Sequence, residues 1–429
     1  MTFVRLTSPR QCPYPAQVDK EEILTGIAII VGLAVTCQLL APKLRIPALV
    51  LLLPAGFLAG VVFPSVDPIG IFGSAFTPLV NIAVGLILFH GGLELVEEQL
   101  VRKDRRIIQR LIFIGSLITW ACASAAFYFL LGVSSPIALL LGAIVIVSGP
   151  TVVGPLLDFV KPEIRIRRIL AWEGTLIDPV GALIAVIVFQ AIQASSEPNL
   201  GRATAHFFTR IGIGLVGGLC GIGLIWLGMH LYNDNRVLGT EVLLGAVIVT
   251  TAITDAVADD AGLVAAVVMG MLAPLLVKER IHAVKPFFDT IVTFSIGVLF
   301  VAISSLVTPA SIEGLVLPCL GVVAILVLVV RPGSAILLTA RSTLTLRERL
   351  FVGWMAPRGI VAAATAASFS ATLIAANVED SDKLLPATFL IIVGTVVFYS
   401  ATAVPMASLL KVRGSDSELD EADREVSAM

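Results

Sequence analysis

Apolar stretches of 15 to 26 residues recur along almost the whole chain, and short polar segments separate them. Because a helix needs about 20 apolar residues to cross a lipid bilayer, each stretch predicts a transmembrane helix. Thirteen stretches occur, at residues 23–41, 47–63, 75–95, 111–131, 137–157, 171–190, 211–231, 242–258, 262–276, 291–309, 315–340, 352–374 and 385–408. The pattern therefore predicts an all-α, polytopic membrane protein with about thirteen transmembrane helices.

Composition leaves no room for a separate soluble domain. Hydrophobic residues make up 57% of the chain and charged residues 14%, whereas soluble domains carry about 25% charged residues. We expect a polar N-terminal tail at residues 1–22, a transmembrane domain at 23–410 and a short tail at 411–429. The first tail lacks an apolar region, so no cleavable signal peptide is expected. The five cysteines have no metal-binding spacing, and nothing indicates a cofactor, an enzyme or a nucleic-acid partner.

Charge placement predicts the orientation in the membrane. With thirteen crossings, Lys and Arg number 21 on the side that carries the C-terminus and 6 on the other side. Positive charges accumulate on the cytoplasmic side of membrane proteins. We therefore expect a bacterial-type plasma membrane protein with its N-terminus outside and its C-terminus in the cytoplasm.

Two of the predicted helices are interrupted. Residues 147–155 contain two prolines and two glycines, and Ala356-Pro357-Arg358-Gly359 punctuates the twelfth stretch in the same way. Proline removes helical hydrogen bonds, and unwound backbone at membrane depth survives only inside protein or beside a cavity. One broken helix in each half of a chain is typical of inverted-repeat transporters. Two unrelated proline kinks are the alternative, and the acids of the sixth stretch make it less favoured.

Two acids lie in the sixth stretch, Glu173 and Asp178. They are five residues apart, which is about 140° around a helix and ~7.5 Å along it, so they face different neighbours. Asp178 shares its face with Gly174 and Gly181, and Thr175 lies three residues before it. Small neighbours leave space for an ion, so we predict that cations and protons compete for Asp178. A protonated acid with a purely structural hydrogen bond is the alternative.

Two arginines interrupt later apolar stretches. Glu173 needs a buried counter-charge, and Arg331 is the first candidate for it. Arg358 is the second candidate, or else it offsets the charge of the half-helix ends in the broken twelfth stretch. Arg331 near a membrane boundary, with its charge reaching out to water, is the alternative.

Other polar positions are accessory candidates. His90 lies near the cytoplasmic end of the third stretch and could sense internal pH, although a hydrogen-bonded interface histidine is the simpler interpretation. Asp255, Asp259 and Asp260 lie around the predicted external hairpin between the eighth and ninth stretches. They could attract cations, and a solvated turn is the default interpretation.

These motifs together resemble the monovalent cation/proton antiporter family, in the branch of bacterial sodium/proton exchangers akin to animal sodium/hydrogen exchangers. The matching motifs are Phe89-His90-Gly91-Gly92-Leu93-Glu94, Ser148-Gly149-Pro150-Thr151, Glu173 with Asp178 five residues later, Arg331-Pro332 and Pro357-Arg358-Gly359. The resemblance implies an inverted-repeat antiporter fold of thirteen helices with two crossing broken helices. It also implies a homodimer with separate core and dimerisation domains, and alternating access by movement of the core.

The resemblance carries specific residue roles with it. It implies that Asp178 binds the ion, that Glu173 pairs with Arg331, and that Thr151 and Ser148 contribute where the broken helices cross. Three positions depart from the branch: Ile177 stands where Asn is usual, Gly174 where Ser is common, and Val152 where Asp is common. Three coordinating groups are therefore replaced by groups that cannot bind an ion, and sodium specificity does not follow.

The expected function is exchange of one monovalent cation for one proton across the plasma membrane, without net charge movement. Sodium is the first choice for the cation, and potassium is the alternative because a larger, more weakly hydrated ion needs fewer strong ligands. Two alternatives from other classes are a gated cation channel and a non-transporting sensor on the same scaffold.

Overall fold

The computed structural model describes residues 20–44, 46–97, 102–193, 200–231, 236–258, 261–276 and 278–414. Its α-helices, in chain order, are α1 (Lys20–Leu44), α2 (Leu49–Val62), α3 (Pro68–Phe72), α4 (Phe76–Glu97), α5 (Arg102–Arg110), α6 (Ser116–Leu131), α7 (Ser135–Ile144), α8 (Pro150–Val160), α9 (Ile164–Gln193), α10 (Leu200–Leu231), α11 (Arg236–Val257), α12 (Ala261–Leu276), α13 (Lys278–Ser305), α14 (Pro309–Ile312), α15 (Val316–Ile325), α16 (Arg331–Thr339), α17 (Leu346–Trp354), α18 (Ile360–Ala375) and α19 (Leu384–Leu410). Within these described ranges no β-strand occurs. The all-α prediction is therefore confirmed.

Every predicted apolar stretch coincides with a helix or with two helices in succession. Over the part of the chain that the structure describes, nine helical segments are long and apolar enough to cross a membrane. The other four stretches match shorter apolar helices, Leu49–Val62, Ser135–Ile144, Ala261–Leu276 and Ile360–Ala375. The protein is a multi-pass membrane protein, and the count of thirteen crossings stays a prediction.

Several predicted breaks were wrong at their edges, because helices continue past the apolar stretch. Between the predicted stretches 262–276 and 291–309, residues 278–290 are helical and form the first part of α13. Likewise, α9 begins at Ile164, between the predicted stretches 137–157 and 171–190. Hydropathy detects the part of a helix that faces lipid, whereas backbone hydrogen bonding extends the helix into polar residues beyond it.

The helices form two packed groups. The panel consists of α1, α2, α4 and α10–α13, and the core bundle consists of α5–α9 and α15–α19. The groups meet where α4, α12 and α13 of the panel face α9 and α18 of the core bundle. α4, α10 and α12 are therefore the panel helices that contact the acid-bearing helix α9.

Glycine permits the closest helix contact in the panel. Gly92 of α4 lies against Gly270 of α12, and a Cβ atom at Gly92 would stand 2.9 Å from the Gly270 Cα atom. Any side chain at either position would push the helices apart. The glycine pair thus fixes α4, and with it the wall that the panel presents to the core bundle.

The core bundle contains the same sequence of elements twice. Each copy starts with a helix that includes a π-helical turn, Leu111–Gly115 in the first and Leu326–Val330 in the second. A broken pair follows, α7 with α8 and then α17 with α18, and a long helix ends each copy, α9 or α19. In both copies the helices of the broken pair are separated by five residues, 145–149 in the first gap and 355–359 in the second gap.

Local sequence explains both gaps. Pro150 is the first residue of α8, where its missing N–H costs nothing, and the preceding Gly149 is extended at φ −72° and ψ 155°. In the second gap, Pro357 and the extended Gly359, at φ −111° and ψ −174°, precede α18. Proline disfavours a helical residue before it, so each half-helix must begin anew after the gap.

The start of α9 is anchored from three directions. Arg165 donates to Asp104 of α5 at 2.6 Å and to Thr343, before α17, at 2.7 Å. The loop before α9 pairs with the end of the chain, since the Glu163 N–H donates to the Val412 carbonyl at 2.8 Å. These contacts fix one end of the helix that carries Glu173 and Asp178.

Candidate ion-binding site

The two gaps meet in the middle of the core bundle. The Arg358 side chain, from the second gap, donates through Nη1 to the carbonyl oxygen of Ile146 in the first gap at 3.0 Å. Arg358 is buried, at 4% exposure. The two broken helices therefore cross where the structure holds free backbone groups, and the buried guanidinium faces the C-terminal end of α7, which carries partial negative charge.

Asp178 lies directly against the first gap. It is 0% exposed, and a Cβ atom added at Gly149 would stand 2.6 Å from its Oδ2 atom. Only glycine fits there. The carboxylate therefore packs against bare backbone at the point where the helix is unwound.

Neither oxygen of Asp178 has a hydrogen-bond partner among the described residues. A buried carboxylate without partners is too costly to remain as a bare anion. Such a group is either protonated or neutralised by a cation. Asp178 therefore has the chemistry of a group that exchanges one for the other.

Two of the other predicted ligands, Ser148 and Thr175, lie close by in the chain, and neither bonds to Asp178 in the described part of the structure. Ser148, at 5% exposure, is in the first gap, and Thr175, at 2%, is on α9. Thr151 is the second residue of α8, and its side chain lies outside the described set. Val152 and Ile177 are buried at 1% and 4% exposure. Both side chains are apolar and offer no oxygen ligand.

Glu173 and Arg331 form a two-pronged ion pair. Arg331 donates from Nη1 to Oε1 at 2.5 Å and from Nη2 to Oε2 at 2.7 Å, and the residues are 1% and 6% exposed. The same Nη2 atom reaches the carbonyl of Met355 in the second gap at 3.4 Å. Parallel bonds of this kind are strong and directional. The pair thus joins α9 to α16 and supports the second gap.

Two residues of α19 were missed by sequence reasoning, Thr395 and Tyr399. The Arg358 backbone N–H donates to Thr395 Oγ1 at 3.3 Å, and the Tyr399 hydroxyl lies beside the Ala356 backbone N–H. Both α19 residues are 1% exposed. They lie four apart and so share one face of α19. That face holds the backbone of the second gap.

Two cavities approach the crossing from opposite ends of α4. The α9–α18 cavity, of about 260 Å³, is lined by Thr77, Asn81, Val84, Val186, Phe189, Gln190, Leu263, Val361, Ala364, Thr365, Ser368, Phe369 and Thr372. The α8–α13 cavity, of about 250 Å³, is lined by Ile87, His90, Gly91, Gly154, Pro155, Asp158, Asp289, Val292, Thr293 and Ile296. Asp178 lines neither cavity. In this structure, Asp178 is therefore closed off from both cavities.

His90 lies in the wall of the α8–α13 cavity. Its Nε2 atom is 2.6 Å from Oδ1 of Asp289 on α13, and the side chains are 12% and 49% exposed. Asp158, on the opposite wall, pairs with Arg167 at 2.8 Å. His90 is thus hydrogen-bonded, as the simpler interpretation expected, and it lines a cavity together with two acids; sensing of internal pH stays a prediction.

Asp255 has a specific arrangement rather than a freely solvated one. Oδ2 accepts a hydrogen bond from the Asn81 side-chain amide at 2.8 Å, and Oδ1 accepts from the Gly262 N–H at 3.2 Å. It therefore joins α11 to α4 and to the start of α12. The other two acids predicted beside it, Asp259 and Asp260, lie outside the described residues.

Comparison with known proteins decides the family. A model described as "Sodium/hydrogen exchanger, transmembrane" matches residues 28–409. The chain belongs to the sodium/hydrogen exchanger family. Its relatives include a probable Na⁺/H⁺ antiporter 2 of Methanocaldococcus jannaschii, 24% identical over 87% of this chain and 94% of the relative. Another is the K⁺/H⁺ antiporter NhaP2 of Shewanella baltica, 23% identical over 78% of this chain and 58% of the relative.

A solved structure from the same family has this fold. The sodium proton antiporter MjNhaP1 from Methanocaldococcus jannaschii superposes with a TM-score of 0.78, covering 92% of this chain and all of that one, at 20% identity. The predicted inverted-repeat antiporter fold with two broken helices is confirmed. These relatives are cation/proton transporters and not enzymes, so the exchanger family carries the predicted class of function.

The Glu173–Arg331 pair predicts a strong energetic coupling. We expect Glu173→Leu and Arg331→Met each to cost about 3–5 kcal/mol of unfolding free energy, because each leaves a buried charge alone. The double variant should recover much of this loss, but not all of it, since the Met355 carbonyl still loses its donor. Thermal unfolding of the four proteins in detergent measures the coupling.

The matched control for this cycle is the partly exposed pair of Lys383 and Asp380. Lys383 donates to Asp380 at 2.7 Å, which lowers the pKa of that carboxyl group. Lys383→Met should cost no more than about 1 kcal/mol, because water screens exposed pairs. Additive losses in the Glu173→Leu and Arg331→Met double variant would show that the two residues are not energetically coupled.

Tyr399→Phe tests the support of the second gap from α19. Loss of the hydroxyl removes the polar group beside the buried Ala356 N–H, so we expect a loss of about 1–3 kcal/mol in stability and slower exchange. Tyr128→Phe, at a tyrosine that is 47% exposed, is the control and should leave both quantities unchanged. Equal melting temperatures and exchange rates for Tyr399→Phe and the parent protein would refute this role.

Proposed function

We propose that this exchanger transports one monovalent cation against one proton across the plasma membrane, with Asp178 as the shared binding group. The observation that carries the proposal is a fully buried carboxylate, without a hydrogen-bond partner in the described chain, packed on the backbone of a broken helix. Protonation and cation binding are alternative ways to neutralise it. Thr151, Thr175 and Ser148 are the proposed accessory ligands.

Buried charge supports electroneutral exchange. Glu173 is neutralised by Arg331, and Arg358 contributes one further positive charge beside the gaps. The net charge of the core bundle is then the same whether Asp178 carries a proton or a monovalent cation. One proton replaces one cation, so a full cycle moves no net charge across the membrane.

Sodium is the proposed cation, and potassium is a specific second candidate. Val152 and Ile177 are buried beside the first gap and Asp178, and they offer no oxygen ligand. Poor ligand sets suit weakly hydrated ions better than strongly hydrated ones, because less hydration must be replaced. Named relatives of the chain include antiporters for either ion.

Alternating access is supported by the two cavities on either side of a closed Asp178. We propose that the core bundle moves against the panel and opens Asp178 to each cavity in turn, with the panel as the surface of a homodimer. In the proposed orientation, the N-terminus lies outside and the C-terminus in the cytoplasm. The α8–α13 cavity is then cytoplasmic, and His90 with Asp289 is an accessory group at its wall. Asp255 belongs to the external side.

Asp178→Asn should abolish exchange and leave folded protein in the membrane, because the amide cannot carry a proton or neutralise a cation. The assay is recovery of a pH-sensitive dye in proteoliposomes after addition of sodium, potassium and lithium salts in turn. For the parent protein we expect recovery with sodium. Recovery with potassium alone would establish the second candidate.

Asp67→Asn is the matched control for Asp178→Asn. Asp67 accepts a hydrogen bond from the Ile69 N–H at the start of α3, and Asn caps helices equally well. This variant should exchange ions like the parent protein. Cation-dependent proton flux in Asp178→Asn would refute the assignment of Asp178, and flux far above carrier rates without a pH change would indicate a channel.

Electroneutral exchange predicts indifference to membrane voltage. Proteoliposomes clamped at several potentials with potassium and valinomycin should show the same rate and end-point of sodium-driven proton flux. An end-point that shifts with voltage would show that a second group titrates in the cycle. Glu173 freed from Arg331 would be the first group to examine.

A further inference from the structure

Oxygen-bearing side chains make up nearly half of the lining of the α9–α18 cavity. Six such residues line it, from three helices: Thr77, Asn81, Gln190, Thr365, Ser368 and Thr372. Its volume of about 260 Å³ accommodates a cation with several waters, since one water occupies about 30 Å³ in the liquid. The cavity is large enough for a hydrated ion and is not required by the chemistry of Asp178.

Three groups in this wall already donate hydrogen bonds within the protein. The Asn81 amide nitrogen donates to Asp255 at 2.8 Å, and a carboxylate can only accept, so this bond fixes which end of the amide is the nitrogen and leaves the amide oxygen without a bond to Asp255. The Thr365 hydroxyl donates to the Val361 carbonyl at 2.8 Å. Thr372 donates to the Ser368 carbonyl at 3.4 Å. The oriented groups therefore offer acceptors, which attract cations and repel anions.

A fixed negative charge lies behind Asn81. Asp255 is held on both oxygens, by Asn81 and by the Gly262 N–H. Its charge polarises the Asn81 amide and raises the affinity of the cavity for positive ions. The Asn81 amide thus lies between the Asp255 carboxylate of the panel and the α9–α18 cavity.

The inner end of the cavity is apolar. The innermost lining residue from each of α4, α9 and α18 is a valine: Val84, Val186 and Val361. Val186 is eight residues beyond Asp178 on α9, about 12 Å along the helix. The oxygen-lined part of the cavity is therefore separate from the acid, and an ion held there would not touch Asp178.

We propose that the α9–α18 cavity is a second, weaker site for monovalent cations, centred on the Asn81 oxygen, where a partly hydrated ion waits on its way to or from Asp178. The proposal rests on the proposed function of Asp178. In the proposed orientation this site faces the outside, and it acts on cations that arrive from or leave to that face.

Binding is tested first in protein that cannot use Asp178. In Asp178→Asn, sodium, potassium or rubidium chloride should raise the melting temperature above the value in choline chloride at the same ionic strength. That difference should disappear when Asn81→Leu is added. Equal cation-specific stabilisation with and without Asn81 would overturn the proposal, and so would its absence in Asp178→Asn alone. Failure of the Asp178 assignment would be seen separately, as flux in Asp178→Asn.

Transport by the otherwise unmodified protein gives the second test. Asn81→Leu should raise the KM for the cation about fivefold from the face onto which the α9–α18 cavity opens, the effect of losing one neutral ligand. From the opposite face the KM should be unchanged. Right-side-out and everted vesicles measure the two faces. An equal rise from both faces, or no rise from either, would refute the site.

Thr365→Val provides a second variant should Asn81→Leu fail to fold. It removes one cavity oxygen from a different helix with little change in shape, and a smaller rise in KM from the same face is expected. Thr25→Val is its matched control, because Thr25 makes the same hydroxyl bond one turn back, to Glu21, and lines neither cavity. An equal effect of both valine substitutions would count against the site.

Discussion

Unwound backbone inside a membrane protein has no water to satisfy its polar groups, and the core bundle is arranged around two such stretches. The second gap is held at Met355 by Arg331 and at Arg358 by Thr395, and the Tyr399 hydroxyl lies beside Ala356. The first gap receives the Arg358 side chain at Ile146. Each gap therefore depends on side chains from other elements, and the long helices α9 and α19 are needed to supply or position them.

Buried charges follow from the same arrangement. Arg358 donates to the Ile146 carbonyl, and Arg331 donates to the Met355 carbonyl. The side chains that satisfy the unwound backbone therefore place two positive charges in the interior. Glu173 neutralises one of them through its ion pair. The remaining positive charge, on Arg358, lies at the first gap, against which Asp178 also packs. Support of the broken helices therefore brings buried positive charge into the same part of the core bundle as the acid.

The sequence predicted those parts of this arrangement that contain residues rarely found in apolar stretches. Proline and glycine inside apolar stretches predicted both gaps, and charges inside apolar stretches singled out Glu173, Asp178 and Arg331. The sequence did not predict the roles of Thr395 and Tyr399, because a hydroxyl within an apolar stretch usually bonds to its own helix. Thr395 does so as well, donating to the Ile391 carbonyl at 2.9 Å. The link from Arg358 to a backbone carbonyl had no sequence signal, since every residue carries that group.

The position of α4 limits how far the core bundle needs to move in the proposed cycle. Val84 closes the inner end of the α9–α18 cavity, and Ile87 lines the α8–α13 cavity, only three residues further along the same helix. Three residues rise about 4.5 Å, so the panel separates the two cavities by less than one helical turn. Glycine contact with α12 holds α4 in place. A shift of the core bundle by roughly one turn would therefore be enough to move the gaps from one side of this thin apolar barrier to the other.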